Sequence, residues 1–220
     1  ELMSEVIAAV QRVANVPLSF DFPSAQVQEY CLKAYDPDKA GGALPIVNSV
    51  SELRWEMLDL LRIQPCRFIL MASERMEGGR RIANKTAAEV HSTTRRMVDR
   101  LQTAGVPPGD LFVDVSVGPI GADTEVLTRM ALDAIRMIGA DAVLQGVHMS
   151  VGLSNISIML PKEASDGSPL KPQIESAFLT LSVPAGLDTV LATPGRDYRM
   201  LPENNLVMRG VMEALALDGI

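Results

Sequence analysis

Apolar residues recur along the chain in two alternating patterns, one typical of helices and the other typical of buried strands. Leu2, Val6 and Val10 lie at the spacing of a single helix face, which predicts an amphipathic helix over residues 1–14 that ends before Pro17. Short apolar runs predict six strands, at residues 18–22, 43–48, 67–72, 111–115, within 146–153, and at 189–192. Segments with helical spacing lie between successive runs, and a last one covers residues 206–217.

Polar residues mark the positions at which helices begin. Ser51 precedes one helical segment as an N-cap residue, and Thr86 with Glu89 has the spacing of a capping box. Asp123 or Thr124 begins the next helix. The residues between the third strand and Thr86 are predicted to form a polar loop.

The order of these elements favours a parallel sheet covered by helices. Each predicted strand is followed by a helix, and no two strands are expected to be joined by a tight hairpin. No Gly-rich dinucleotide fingerprint follows any strand, which favours an α/β fold of the (β/α)8 TIM barrel class over a doubly wound open sheet. The helix at 1–14 would be the second helix of that barrel. We therefore expect a single domain over residues 1–220 that lacks the first two strands of the barrel.

Composition and charge exclude several classes of protein. The 220 residues are 47% hydrophobic, which is enough to fill a core, and the net charge of −7 argues against nucleic acid as a partner. No apolar run approaches the roughly 20 residues of a membrane span and no signal peptide is visible, so no membrane association is expected. The two cysteines, Cys31 and Cys66, are far apart in sequence, which favours a reducing, cytoplasmic location.

Four small polar side chains end the apolar runs of different predicted strands. They are Asp21, Asn48, Asp114 and Asn155. Because a barrel builds its active site at the carboxyl ends of its strands, we expect these side chains to converge on one mouth. A carboxylate or amide inside an apolar strand costs roughly 1–3 kcal/mol unless a partner satisfies it. Each could instead cap local backbone, as Asp and Asn do in turns, and that alternative stays open.

Carboxylates and amides together suit a flat heterocycle better than a metal ion. Their oxygens accept hydrogen bonds from N–H groups, and amide N–H groups donate to ring nitrogen or carbonyl oxygen, as a pterin requires. The two histidines, His91 and His148, lack the spacing of metal ligands, and the cysteines have no partner motif. We therefore expect no metal site.

The same segments resemble those of the pterin-binding methyltransferases, which include methyltetrahydrofolate:corrinoid methyltransferases and the folate domain of cobalamin-dependent methionine synthase. The similar segments are Ser-Phe-Asp at 19–21, Ile-Val-Asn-Ser at 46–49, Phe-Val-Asp at 112–114, Gly-Leu-Ser-Asn-Ile-Ser at 152–157 and Ala-Gly-Leu-Asp at 185–188. The resemblance extends from about residue 1 to about residue 195, and the G-x-S-N-x-S motif is its most specific part.

The resemblance implies a (β/α)8 barrel of the dihydropteroate-synthase-like type with a pterin at its mouth. Asp21, Asn48 and Asp114 would hydrogen-bond the pterin ring, and Asn155 would hydrogen-bond N5, the nitrogen that carries the methyl group. The methyl group would move between methyltetrahydrofolate and the cobalt of cobalamin, which supplies the nucleophile. Since the departing N5 must gain a proton or a strong hydrogen bond as the methyl group moves, Asn155 is the expected catalytic residue. The corrinoid would belong to a separate partner protein, because the chain lacks the D-x-H-x-x-G motif of cobalamin-binding modules.

Two other functions stay open. Dihydropteroate synthase shares the barrel and the pterin pocket, but that family places basic residues after the Ser of the strand in which this chain has Asn155 and Ile156. A non-catalytic subunit that binds a pterin or a corrinoid protein would keep the ring-binding residues without methyl exchange. The chain also departs from the methyltransferases in its apolar residues 158–160 and in the longer loop at 161–172. The direction of transfer stays open, and relatives commonly form homodimers.

Overall fold

Six parallel strands form a curled sheet in which the strands lie side by side in the order in which they occur along the chain. The computed structural model describes residues 2–217 and has an α/β fold whose sheet forms a half-barrel. The strands are β1 (Ser19–Asp21), β2 (Ile46–Val50), β3 (Arg67–Met71), β4 (Glu74–Glu77), β5 (Arg80–Ala83), β6 (Leu111–Asp114), β7 (His148–Gly152) and β8 (Thr189–Leu191). The curled sheet has the order β1-β2-β3-β6-β7-β8, with every pair parallel, so the predicted parallel sheet is confirmed.

The α-helices lie before, between and after the strands of the curled sheet. They are α1 (Leu2–Val10), α2 (Ala25–Ala34), α3 (Ala87–Thr103), α4 (Leu127–Gly139), α5 (Leu170–Ser182) and α6 (Leu206–Ala216). The predicted capping box is confirmed, because Thr86 Oγ1 accepts from the Glu89 N–H and the Glu89 carboxylate accepts from the Thr86 N–H. α4 begins at Leu127, with Val126 as its N-cap residue, and so later than the predicted start at Asp123 or Thr124. The Asp123 carboxylate still accepts from the first N–H groups of the helix, those of Leu127 and Thr128, at 2.7 and 2.8 Å. In the described part of the chain no helix is long and apolar enough to cross a membrane.

Side chains alternate between the two faces of the curled sheet, and these faces are packed differently. One face packs against the helices in a single core cluster, to which it contributes fully buried side chains: Val47, Phe68, Leu70, Leu111, Val113 and Val151. The opposite face carries Asn48, Ile69, Phe112 and Asp114, and the apolar members of this set lie outside that cluster. The main core therefore lies between sheet and helices, which leaves the other face to hold polar groups.

The expectation that no two strands are joined by a tight hairpin is wrong, as is the polar loop expected after β3. β4 and β5 pair antiparallel around Gly78 and Gly79, whose φ angles of 57° and 76° fit a two-residue hairpin turn. These strands have the sequences Glu-Arg-Met-Glu and Arg-Arg-Ile-Ala, which lack the apolar alternation of a half-buried strand. Contacts with other elements fix the hairpin instead. For example, the Glu52 carboxylate accepts from the Met76 N–H at 2.9 Å.

The helix predicted to begin at Ser51 is shorter and more tightly wound than expected. Ser51 Oγ accepts from the Leu53 N–H at 3.2 Å in a turn, and a 3-10 helix then covers Trp55–Arg62. With three residues per turn, Met57 and Leu60 lie on one side of this helix, and both are buried. The tighter winding thus aligns two apolar residues toward the core.

Candidate functional site

The four predicted site residues lie near the carboxyl ends of four strands of the curled sheet. Asp21 is the last residue of β1 and Asp114 the last of β6, whereas Asn48 precedes the final two residues of β2. Asn155 lies three residues beyond β7, in a 3-10 turn over Leu153–Ser157, and not at the strand end where it was expected. The register places Asp21 beside Asn48 on the neighbouring strand. Among residues 2–217 no hydrogen bond joins any two of these four side chains.

Asn48 is buried; its backbone carbonyl is hydrogen-bonded, whereas its side-chain amide is not hydrogen-bonded to any residue of the described chain. The residue is 7% exposed, and the amide has no hydrogen-bond partner within the described residues. The backbone carbonyl of Asn48 accepts from Gln28 Nε2 at 3.0 Å, and the same nitrogen lies 2.7 Å from the Phe20 carbonyl. Gln28 thereby ties β1 to β2 near their carboxyl ends. Because burying an amide without a partner is costly, this amide suits a ligand that both donates and accepts.

Asp114 is a buried carboxyl group with a single protein donor in the described part of the chain. The residue is 8% exposed, and Oδ1 accepts from the Ser116 N–H at 2.7 Å. Ser116 has a φ of 62°, a left-handed conformation that is uncommon for serine. Burial raises the pKa of Asp114 to about 6, and the hydrogen bond from Ser116 opposes this only in part. A ligand with N–H groups would supply the donors that the ionised carboxylate lacks.

Asn155 is exposed, and its amide packs against Gly152. A Cβ atom on Gly152 would lie 2.8 Å from Asn155 Nδ2 and 3.6 Å from its Cγ, so the glycine leaves the space that the amide occupies. The φ of Gly152 is −74°, which any residue can adopt, so glycine is needed here only for space. The amide makes no hydrogen bond with the rest of residues 2–217. Its N–H groups are therefore free to donate to a ligand.

A small cavity lies between the segment that follows β6 and the β4–β5 hairpin. Its volume is about 280 Å³, and its lining includes Ser116 together with Arg81 and Asn84 of the hairpin region. Pockets for drug-sized ligands are typically about 300–1,000 Å³. The cavity therefore has room for part of a small organic molecule.

Sequence reasoning missed three residues that shape this end of the sheet. Gln28 ties two strands together, and Gly152 makes room for Asn155. Arg54 Nη2 donates to Ser49 Oγ at 2.9 Å, and its guanidinium forms no ion pair within the part of the chain that the structure describes. Gln28 and Arg54 reach the strand ends from other elements, so no local pattern marks them. The G-x-S-N-x-S motif does contain Gly152, and it was the one available signal.

The two histidines form separate hydrogen-bonded pairs, away from the carboxyl ends of the strands. His91 Nε2 lies 2.8 Å from Asp141, and His148 Nδ1 lies 2.8 Å from Asp188. His148 also stacks on Phe112, with ring centroids 4.8 Å apart. Among residues 2–217 no group of three or more His, Cys, Asp and Glu side chains is arranged to hold a metal ion. Both histidines thus have contacts that account for their positions.

Comparison with known proteins agrees with this geometry at the level of the family. Residues 1–192 match the model of a family described as pterin binding enzyme. This family includes the folate domain of methionine synthase and dihydropteroate synthase. No curated protein matches the sequence. Because the family match covers most of the chain, including all four predicted site residues, this chain belongs to the pterin-binding enzyme family, as its motifs indicated.

Proposed function

We propose that this protein is a methyltetrahydrofolate:corrinoid protein methyltransferase of one-carbon metabolism. It would move a methyl group between N5 of methyltetrahydrofolate and the cobalt of a corrinoid protein. The observation that carries the proposal is the Asn155 amide, which is exposed just beyond β7, packs on Gly152 and has no hydrogen-bond partner among residues 2–217. Family membership supports a pterin as the ligand. The Asn155 amide would donate a hydrogen bond to N5, the atom from which the methyl group departs.

The remaining strand-end residues suit the polar edge of a pterin ring. The Asn48 amide offers both an acceptor and a donor, and the Asp114 carboxylate accepts from ring N–H groups. Asp21, beside Asn48 in the register, adds an exposed carboxylate. Ring N–H groups that donate to Asp114 would also favour its ionised form, which burial disfavours in the free protein. Protein and ligand would thus each satisfy polar groups of the other.

Asn155 would act on the nitrogen that releases the methyl group. As the bond between N5 and the methyl carbon breaks, its electron pair stays on N5, and a proton from water neutralises the negative charge that develops there. An amide N–H that donates to N5 stabilises this developing charge more in the transition state than in the substrate, which lowers the barrier. The corrinoid of the partner supplies the cobalt nucleophile, so no side chain of this chain is needed for that role.

The residues that follow Ser154 support methyl transfer over dihydropteroate synthesis. A synthase has to manage an anionic pyrophosphate, which favours basic side chains after this serine. Here the exposed Asn155 is followed by the buried Ile156, and then by Ile158 and Met159, which are 45% and 83% exposed. The turn after β7 therefore offers an amide and apolar surface where a synthase needs positive charge.

The proposal includes features that family membership alone does not decide. The curled sheet would be part of a (β/α)8 barrel of the dihydropteroate-synthase-like type, and residues 1–220 would form one domain. The corrinoid protein would be a separate partner with cobalamin as its cofactor. The thiols of Cys31 and Cys66 are free and buried, which supports a cytoplasmic location. Formation of a homodimer stays a prediction.

Calorimetric titration tests the class of substrate. Methyltetrahydrofolate and tetrahydrofolate are titrated separately into the protein, and dihydropterin pyrophosphate serves as the third ligand. The proposal expects micromolar binding of both folates and no binding of the pyrophosphate. Tight binding of the pyrophosphate would refute the methyltransferase proposal and indicate a dihydropteroate synthase. If none of the three ligands binds, the strand-end residues are local caps and the proposal fails.

Two variants separate binding of the folate from methyl transfer. Asn155→Ala is expected to keep the folate Kd within a few-fold and to lower the rate of transfer to free cob(I)alamin by about 100-fold or more. Asp114→Ala is expected to weaken folate binding by about 10- to 100-fold, because a charge-assisted hydrogen bond is lost. Asn15→Ala removes an exposed asparagine that precedes β1 and serves as the control. Parent-like transfer by Asn155→Ala would refute the role given to that residue.

A further inference from the structure

The segment between β8 and α6, residues 192–205, contains no helix or strand and is fixed along α5. Ser176 Oγ accepts from the Arg199 N–H at 3.2 Å, and Thr180 Oγ1 accepts from the Leu201 N–H at 2.8 Å. This segment leaves the carboxyl end of β8, next to β7 and the turn that follows it. Polar side chains of one helix thus hold an irregular segment beside the candidate site.

Glu175 on α5 joins this segment to the 3-10 turn after β7. Its carboxylate is fully buried and accepts from the Arg196 guanidinium and from the Tyr198 hydroxyl, the latter at 2.9 Å. From the other side, Ser157 Oγ donates to Glu175 Oε1 at 2.5 Å. Ser157 is the last residue of the turn Leu153–Ser157. One carboxylate therefore connects the segments that follow two neighbouring strands.

The contacts of Glu175 are better suited to fixing geometry than to adding stability. The hydrogen bond from Arg196 to Glu175 raises the pKa of the guanidinium, as expected for a charged pair. Removing an ion pair from water is costly, and an apolar pair of similar volume is often as stable or more so. The three donors that meet this carboxylate nevertheless impose direction as well as distance. A carboxylate at this place thus defines how the two irregular segments lie relative to α5.

We propose that Glu175 is a positioning residue for Asn155, acting through Ser157 to hold the turn after β7 so that the Asn155 amide faces N5 of the folate. This inference rests on the proposed function. The connection is short, since Ser157 lies two residues beyond Asn155 and the Ile158 N–H donates to the Asn155 carbonyl at 3.2 Å. Through Arg196, the same carboxylate makes the position of the turn depend on the segment after β8.

Steady-state transfer from methyltetrahydrofolate to free cob(I)alamin, with the full chain, tests the inference. Ser157→Ala removes the hydroxyl through which Glu175 contacts the turn. Glu175→Gln removes the negative charge of that side chain and keeps its shape. Both are expected to lower kcat by about 10- to 100-fold with the KM for the folate within about twofold, since a misplacement of about 1 Å can cost that much. Ser157→Thr keeps the hydroxyl and should restore kcat. Ser182→Ala, which removes a buried hydroxyl of α5 that donates to the Phe178 carbonyl of the same helix at 2.7 Å, should behave as the parent.

A double-mutant cycle tests whether Ser157 and Glu175 act as one unit. Because both single variants break the same connection, the double variant is expected to lose no more activity than the more damaging single one. Losses that multiply would show two independent effects and would overturn the inference. Should Glu175→Gln fail to fold, Ser157→Ala and its rescue by threonine decide the question without it.

The NMR signals of the Asn155 side-chain amide give a readout that does not depend on activity. Ser157→Ala is expected to shift these signals, and Ser182→Ala is not. If the parent neither binds a folate nor transfers a methyl group, the proposed function fails, whereas a shift caused by Ser157→Ala would still show that Ser157 sets the position of the Asn155 amide. If the parent is active and Ser157→Ala changes neither kcat nor the signals, the positioning role is wrong and the proposed function stands.

Discussion

Asp114 makes the stability of this protein depend on pH in a direction that the structure defines. Burial raises its pKa to about 6 from an ordinary value of 3.8, so the folded state holds the proton more tightly than the unfolded chain does. The stabilisation from this proton is fully present below about pH 4 and is lost as the pH rises through about 6. The loss amounts to about 3 kcal/mol, since each pKa unit corresponds to about 1.36 kcal/mol.

The variant Asp114→Asn isolates this effect. It removes the titrating group and keeps an oxygen that can accept from the Ser116 N–H. We expect its free energy of unfolding, relative to the parent, to increase by up to about 3 kcal/mol between about pH 4 and pH 7.5, and to be level above that. Asp99→Asn changes an exposed carboxylate on α3 in the same way and is expected to show no such trend.

Urea unfolding at a series of pH values measures this difference. The fluorescence of Trp55, the single tryptophan, reports unfolding, because its ring lies 4.1 Å from the Arg100 guanidinium in the folded protein. The m-values of variant and parent need to agree for the comparison to hold. The stability difference between Asp114→Asn and the parent could instead be the same at pH 4 and pH 7.5. That result would refute the claim that burial raises the pKa of Asp114. If the ionised form holds the pterin, folate affinity also falls about tenfold per pH unit below about pH 6.

Two more variants test contacts that the structure assigns. Gly152→Ala places a methyl group against the Asn155 amide, so we expect methyl transfer to cob(I)alamin to fall about tenfold or more. The free energy of unfolding is expected to stay within about 0.5 kcal/mol of the parent value. Parent-like transfer would contradict the packing argument. Asn84→Ala removes hydrogen bonds from the buried Asn84 amide to the Ala72 carbonyl and Thr93 hydroxyl, at 2.8 and 2.9 Å, and we expect urea unfolding to show a loss of about 2–3 kcal/mol. A loss below about 0.5 kcal/mol would mean that water replaces both bonds.

The hairpin after β3 shows where sequence patterns stop being informative. Its Gly78-Gly79 turn is a recognised hairpin signal, but the flanking residues are mostly charged and have no apolar face. What holds it are groups distant in sequence, among them Glu52, which also accepts from Arg96 Nε at 2.7 Å. Two short charged strands are only marginally stable alone, so this element depends on surfaces that meet only after folding.

The turn after β7 likewise contains features of the site that the sequence pattern did not predict. The motif that contains Asn155 was visible in the sequence, and the family match agrees with it. Its position beyond the strand was not visible, because a 3-10 turn and the end of a strand have similar local composition here. Gly152 and Ser157 looked like parts of a motif, and only their contacts with Asn155 and Glu175 show what each does.

By itself the sequence determined the alternation of strands and helices, the parallel sheet, the capping box at Thr86 and the family, because each depends on spacing between residues close in the chain. The tertiary structure alone decided that Asp114 is buried enough to raise its pKa, that the Asn48 amide has no partner among residues 2–217, and that Glu175 meets both Ser157 and Arg196. Burial and hydrogen bonds between distant residues follow from which surfaces pack together, and local propensity does not contain that information.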